Sequence, residues 1–355
     1  MSQVTFQKVR KEYANFVALE TLDLTVNEGE FLTLLGPSGC GKTTTLRLIA
    51  GFLEPTSGRI LIDGEDVTGL PPQKRGIGMV FQDYALFPHL TIGENIAFGL
   101  TERGVAKDKV RARVRELLEL VRLPGVEQRY PSEISGGQAQ RVALARAVAF
   151  TPRVLLMDEP LGALDLKLRE AMQLELRRIQ QELRITTVYV THDQIEAMSM
   201  SDRIVVMNKG RIEQVGDPTS IYNDPLTRFV ADFVGKISFV SGRIEKSAGA
   251  YSTIRAATTS LDAPVSGVSP GGEVTVAIRP EKLFILPQGA ATSGINVLEG
   301  VIETRTFVGS VTNIRVRVDG GTSLLVEARS DDQALAPGNG IRVGWKPDDS
   351  IVLAK

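Results

Sequence analysis

The sequence predicts an α/β domain with a mostly parallel sheet over residues 1–235, followed by a small all-β domain over residues 236–355. Three observations carry that reading. Short apolar runs alternate with helical patterns through the first part of the chain. A glycine-rich loop stands between one such run and a helical run. The composition changes after about Gly235.

Taken in order, Thr5–Val9, Leu22–Val26 and Arg59–Ile62 alternate apolar and polar residues, as an antiparallel side sheet does. Phe31–Leu35, Ile77–Phe81, Val154–Met157 and Thr187–Val190 are nearly continuous apolar runs, which suits strands buried on both faces. Between them lie helices. In Lys107–Val121 the apolar positions Val110, Val114, Leu117, Leu118 and Val121 share one helical face. In Leu168–Leu183 the positions Leu168, Met172, Leu176, Ile179 and Leu183 do the same. Segment 247–272 is rich in Ser, Thr, Ala and Gly. Strand candidates then recur at Val274–Ile278, Leu283–Leu286, Asn313–Val318, Ser323–Ala328, Ile341–Trp345 and Ile351–Leu353. Turn residues such as Asp319-Gly320-Gly321 and Pro337-Gly338-Asn339-Gly340 separate them, so one or two small barrels are expected. Residues 236–355 contain neither His nor Cys and offer no catalytic constellation.

Composition narrows the class. With 355 residues, 43% of them apolar, the chain has ample material for a core. Its 41 Lys and Arg against 42 Asp and Glu give a formal net charge of -1, which argues against nucleic acid as a partner. The single cysteine, Cys40, excludes an intrachain disulfide and a zinc cluster. The start, MSQVTFQKVRKEY, lacks the apolar core of a signal peptide, and no run is long enough to span a bilayer. A soluble intracellular protein is the expectation.

Gly36-Pro37-Ser38-Gly39-Cys40-Gly41-Lys42-Thr43 matches G-x-x-x-x-G-K-[ST], after the run FLTLL and before the helical TTTLRLIAG. Its glycines allow backbone N–H groups to turn inward around phosphate oxygens, and the helix N-terminus adds partial positive charge. Lys42 is placed for the β- and γ-phosphates and Thr43 for Mg²⁺. These eight residues and Thr44 are the expected nucleotide cradle; Cys40 reads as a small neutral filler.

Val154–Met157 ends in Asp158 and Glu159. Alone, the pair would read equally as solvated acids. Beside a phosphate loop, Asp158 suits the Mg²⁺ shell and Glu159 suits a general base toward an attacking water. His192 follows the run TTVYV, at a strand's carboxyl end, where open α/β sheets bind ligands. The other histidine, His89, reads as structural.

Ile134-Ser135-Gly136-Gly137-Gln138 precedes the helical AQRVALARAVAF. Together with the phosphate loop and the acidic strand end, it makes residues 3–235 resemble the nucleotide-binding subunit of an ATP-binding cassette (ABC) transporter. The fold implied is a P-loop NTPase cassette with an antiparallel side sheet and a helical subdomain at about 85–150. Ile134 stands where that family has Leu, and Gly162 in Leu161–Asp165 stands where it has Ser. The resemblance implies that Tyr13 stacks on adenine, Gln82 joins the Mg²⁺ site and His192 contacts the γ-phosphate. It further implies that Ser135, Gly136, Gly137 and Gln138 face nucleotide held by a second copy of the chain, and that Asp165 belongs to the nucleotide-binding set. In the tail, Ala277-Ile278-Arg279-Pro280-Glu281, Phe307-Val308-Gly309 and Trp345-Lys346-Pro347 resemble the OB-like regulatory (TOBE) domain of importer ATPases. The partners implied are ATP, Mg²⁺, membrane permease subunits and, indirectly, a solute-binding protein, at the cytoplasmic face of the membrane. The cargo implied is a polyamine, ferric iron, a phosphonate or a sugar. Residues 83–105, with Tyr84, Leu86 and Phe87 read as exposed, would form a groove for a short helix of the membrane partner. An ABC-type ATPase without membrane partners is the competing class. It usually has two cassettes or a long coiled coil, and neither is present here.

Overall fold

The computed structural model describes residues 2–162, 164–248, 251–264, 269–287, 289–328 and 335–354. Ala163, in the Leu161–Asp165 loop, and parts of segment 247–272 lie outside them. Contacts divide the chain into Met1–Ile221 and Tyr222–Lys355.

The first unit begins with an antiparallel hairpin, β1 (Val4–Tyr13) and β2 (Phe16–Val26), followed by β3 (Phe31–Leu35), α1 (Lys42–Ala50), β4 (Ser57–Ile62) and β5 (Glu65–Asp66). Next come β6 (Ile77–Val80), α2 (Ile92–Thr101), α3 (Lys107–Leu120), α4 (Gly136–Val148), β7 (Val154–Asp158) and α5 (Leu166–Leu183). The unit closes with β8 (Thr186–Thr191), α6 (Gln194–Met200), β9 (Arg203–Asn208) and β10 (Arg211–Gly216). The helix α7 (Pro218–Asn223) crosses the division. Strands β2, β1, β4 and β5 form the expected side sheet. The larger sheet runs β10-β9-β3-β8-β7-β6, parallel except for the β9–β10 pair.

The continuous apolar runs are buried on both faces. Leu32, Leu34, Val154, Leu156, Val188 and Val190 join one core with the side sheet and α1. Their neighbours Phe31, Leu155, Met157 and Tyr189 join another with α2 to α5. The three helices α2, α3 and α4 fall in the expected helical segment. Their starts are set by local chemistry where the caps are polar. Thr91 and Glu94 form a reciprocal capping box on α2, and Ser135 and Gln138 form one on α4. Asp165 and Asp193 cap α5 and α6.

The division at 221/222 falls ahead of the composition shift that suggested 235/236. The reason is Arg279, a buried side chain of the second unit. Its guanidinium donates to the carbonyls of Ala231 (3.3 Å), Val234 (2.6 Å) and Tyr222 (2.7 Å) and lies over the Tyr222 ring. Ala231, on α8 (Arg228–Phe233), also packs with Ala277 and Leu353. The short helix therefore belongs to the β unit.

That unit holds β11 (Ser238–Ala248), β12 (Tyr251–Ala256), β13 (Thr259–Pro264), β14 (Glu273–Ile278), β15 (Phe284–Leu286) and β16 (Asn296–Phe307). The last four strands are β17 (Thr312–Val318), β18 (Ser323–Ala328), β19 (Gly340–Trp345) and β20 (Ile351–Ala354). They make two antiparallel five-stranded sheets, β13-β12-β11-β14-β20 and β15-β19-β16-β17-β18, around one core. Trp345 is fully buried there, and its indole N–H donates to Ser350 Oγ at 2.9 Å. The Ser/Thr/Ala-rich segment contains a hairpin that its composition hid. Ser252, Ile254 and Ala256, then Leu261 and Ala263, bury alternate positions, and most of them are small.

Arg75 is 1% exposed and joins two parts of the first unit without a carboxylate partner among the described residues. Its guanidinium donates to the carbonyls of Leu48 (2.7 Å) and Ile49 (2.9 Å) at the end of α1. It also donates to those of Thr68 (2.9 Å) and Leu70 (2.7 Å) in the segment leading to β6. Arg75→Met removes this donor from four carbonyls, of which Leu48 keeps the Gly51 N–H, and each buried acceptor left unpaired costs on the order of 1–3 kcal/mol. Denaturant unfolding is expected to show a loss of about 3 kcal/mol or more for that variant.

Candidate nucleotide-binding site

The phosphate loop joins β3 to α1 and is wedged against backbone on both sides. A Cβ on Gly36 would stand 2.3 Å from the Met207 carbonyl oxygen on β9. Gly41 has φ +108, and a Cβ there would stand 2.6 Å from Leu19 Cδ2 on β2. The Gly210 N–H donates to the Cys40 carbonyl at 3.0 Å. Ser38 and Gly39 are exposed at the crown, Pro37, Thr43 and Thr44 are half-buried, and Gly36, Cys40, Gly41 and Lys42 are buried. Lys42 Nζ points into the loop, donating to the carbonyls of Gly36 (2.7 Å) and Pro37 (3.1 Å). No side chain caps α1 at Gly41, so its first N–H groups face the loop.

The acidic strand end meets this loop. Thr43 Oγ1 donates to Asp158 Oδ1 at 3.1 Å. Burial pushes the Asp158 pKa up, and the neighbouring Glu159 charge adds to this against the Thr43 hydrogen bond. A hydroxyl and a carboxylate together are hard oxygen donors, suited to Mg²⁺, which takes one or two protein ligands and completes its shell with phosphate and water. No cluster of three or more His, Cys, Asp or Glu that could hold a metal occurs among the described residues.

Glu159 leaves the strand in the left-handed region, φ 44, with its N–H donating to Val190 O at 3.0 Å. That turn sends its carboxylate to His192, with Oε2 3.3 Å from Nδ1. The same sheet edge thus carries the Thr43–Asp158 pair and the Glu159–His192 pair. Gln82 follows β6, the strand beside β7, and is exposed with no hydrogen bond to either pair.

The remaining expected residues stand apart from this cluster within one chain. Tyr13 and Phe16 face each other across the tip of the β1–β2 hairpin, and both rings are exposed. Ser135 and Gly136 are exposed at the start of α4, where the Ser135 hydroxyl accepts from Gln138 N–H. Gly137 is buried behind them and Gln138 half-buried. Asp165 is exposed and accepts from the Leu168 N–H at 3.0 Å. His89 packs beside Phe87. The apolar residues expected to line an exposed groove behave differently. Tyr84 and Leu86 are half-buried against the helical core, and Phe87 is half-buried against Phe98, with ring centroids 4.7 Å apart. Arg146 draws that loop inward by donating to the carbonyls of Ala85 (2.6 Å) and Tyr84 (2.8 Å).

Two residues at the site have no role in the sequence reading. Glu196 is 3% exposed and accepts from the hydroxyls of Tyr189 and Thr191, each at 2.7 Å. Arg169 donates to Asp193 Oδ2 (3.2 Å) and the Leu164 carbonyl (3.1 Å). The only local signal for Glu196 is its place three residues after Asp193, which reads as a capping box with the carboxylate outside.

Residues 19–162 match the family model of the ABC transporter, and residues 276–353 match that of the TOBE domain. A spermidine/putrescine import ATP-binding protein PotA of Rubrobacter xylanophilus is 49% identical over 99% of this chain and 93% of its own length. One of Acidothermus cellulolyticus is 49% identical over 99% of this chain and 94% of its own. The chain belongs to the ATP-binding subunits of ABC importers. Like other such subunits, it binds ATP and hydrolyses it in the service of transport, and a TOBE domain follows its cassette. Among solved structures, an ATP-binding cassette dimer in a post-hydrolysis state with ADP and Pi aligns with 61% of this chain and 98% of that one. The TM-score is 0.55 and the identity 34%. The cbiO1 protein of Clostridium perfringens, part of an ABC transporter complex, aligns with 61% of this chain and 89% of its own. There the TM-score is 0.58 and the identity 30%. No helix among the described residues of this importer subunit is long and apolar enough to cross a membrane.

Cys40 is 2% exposed and burial pushes its thiol pKa up, so little reactive thiolate forms at neutral pH. Iodoacetamide is expected to leave native protein unlabelled and to label it fully in denaturant, read by mass spectrometry.

Proposed function

We propose that this chain works as one of two copies that bind Mg²⁺ and ATP between them. Hydrolysis there drives polyamine uptake through permease subunits, at the cytoplasmic face of the membrane. The observation that carries the chemistry is the pairing of Thr43 with Asp158 and of Glu159 with His192 on one sheet edge. The polyamine cargo is supported by the near full-length relatives, which are spermidine/putrescine import ATP-binding proteins. Among the cargoes expected from sequence, those names favour polyamine over iron, phosphonate or sugar.

In this reading Lys42 exchanges its two carbonyl acceptors for the β- and γ-phosphates. Thr43, Asp158 and Gln82 hold Mg²⁺, which supplies charge neutralisation of the phosphates. Tyr13 offers its exposed face to adenine. Glu159 takes a proton from water as the water oxygen forms a bond to the γ-phosphorus. The bond from that phosphorus to the β,γ-bridging oxygen breaks, and ADP leaves with the electron pair. His192 holds the γ-phosphate beside Glu159. Ser135, Gly136, Gly137, Gln138 and Asp165 act from the second copy, which is why the single chain leaves them exposed or apart. The dimeric structure of a cassette of similar fold supports that arrangement. A solute-binding protein outside the membrane delivers the cargo.

Glu159→Gln should keep ATP bound and lower turnover by about 100-fold or more, the scale of a lost general base. In cells lacking the parent gene, the parent chain should restore labelled spermidine uptake and Glu159→Gln should not. Uptake of iron or sugar in place of spermidine would overturn the cargo assignment. The shared site has its own test. Mixing Ser135→Arg chains with Lys42→Ala chains leaves one site in a mixed dimer with neither defect. That site should trap ATP, whereas sites built within single chains would all be defective.

A further inference from the structure

A cavity of about 30 Å³ lies behind the Glu159–His192 pair, lined by Glu159, Arg169, Thr191, His192, Asp193 and Glu196. Its walls are charged or polar, and its volume suits a single water. Arg169 Nε is buried in this region and has no hydrogen-bond partner. It stands 4.0 Å from Glu196 Oε1, too far for a direct hydrogen bond. Separations of this kind between buried polar atoms are commonly closed by a bridging water. The other oxygen of Glu196 already accepts two hydroxyls, so Oε1 is the oxygen left to face Arg169.

We propose that this cavity is an ordered-water site bridging Arg169 Nε to Glu196 Oε1, and that both are positioning residues for His192. The proposal rests on the roles given above to Glu159 and His192. The geometry shows how the positioning works. His192 lies between two residues that the network holds. Thr191 donates to Glu196 and accepts from the Asp193 N–H at 3.0 Å. Asp193 receives one end of the Arg169 guanidinium. The other end reaches the carbonyl of Leu164, next to Asp165 in the loop assigned to the second copy. One planar side chain therefore ties that loop to the His192 turn. With its Nε bridged through water to a buried carboxylate, the guanidinium cannot rotate to satisfy one end alone. Movement at Leu164 then reaches His192 through a rigid fork instead of being absorbed by a swinging side chain.

The test uses the full chain, whose histidines are only His89 and His192. Imidazole-labelled protein gives two sets of ring resonances, assigned with His89→Gln. Arg169→Lys removes Nε while keeping the charge. It should lower the ATPase kcat by about tenfold, the lower range for lost supporting partners. ATP affinity should be unchanged. The His192 resonances should shift or broaden while those of His89 stay in place. Glu196→Gln, nearly isosteric, should give the same His192 signature if Arg169→Lys fails to fold. A high-resolution crystal structure of the parent should show a water within hydrogen-bond distance of Arg169 Nε and Glu196 Oε1. A dry cavity, or His192 resonances identical in parent and variants, overturns the proposal. Normal turnover in Glu159→Gln would instead overturn the general-base reading, while the His192 spectrum would still judge the water bridge.

Discussion

The site depends on the register of three parallel strands. Phe31 to Leu35 on β3 pair in step with Thr187 to Thr191 on β8, and Val154 to Asp158 on β7 pair with Thr186 to Val190 of the same strand. Their carboxyl ends therefore finish together. Each end carries one part of the chemistry: the phosphate loop after β3, Asp158-Glu159 at the end of β7 and His192 after β8. Parallel strands are buried on both faces, so a register shift would exchange two cores at once. Alternate residues of each strand already belong to different cores, and that double burial fixes the alignment.

In the first unit, several cationic side chains are held by the backbone. Lys42, Arg75 and Arg146 each donate to main-chain carbonyls. Carbonyls do not titrate, and their positions follow the fold. Buried cations satisfied in this way avoid part of the desolvation penalty that an unpaired charge would carry. The carboxylates behave differently. Asp158 and Glu196 are both pushed toward protonation by burial and drawn back by hydroxyl donors, Thr43 for one and Tyr189 with Thr191 for the other. Such poised acids respond to a nearby cation or a change in hydrogen bonding, as a site that cycles between ligand states requires. In the β unit the same device is structural. Arg279 donates to four carbonyls, those of Tyr222, Ala231, Val234 and Lys236, and so draws the segment that holds α8 into an all-β unit.

Much of this was written locally in the chain. The strand–loop–helix context of Gly36–Thr43, the apolar strand ending in Asp158-Glu159 and the Ser135–Gln138 turn are each legible because period, glycine placement and capping act over a few residues. The buried strands and amphipathic helices were legible for the same reason. What the sequence could not determine was closure over long separations. Thr43 meets Asp158 across 115 positions. Arg169 meets Asp193 across 24, and nothing in either residue's neighbourhood announces the other. Glu196 looks like an exposed helix cap and is a buried acceptor, because Tyr189 and Thr191 are brought to it by the strand before the turn. Phe87 looks like part of an exposed groove and is drawn inward, because Arg146 binds the carbonyls beside it. Periodicity and turn chemistry are properties of neighbouring residues and can be read in order. Which strand ends align, and which buried donor finds which acceptor, is decided only when the sheet register and the two cores close together.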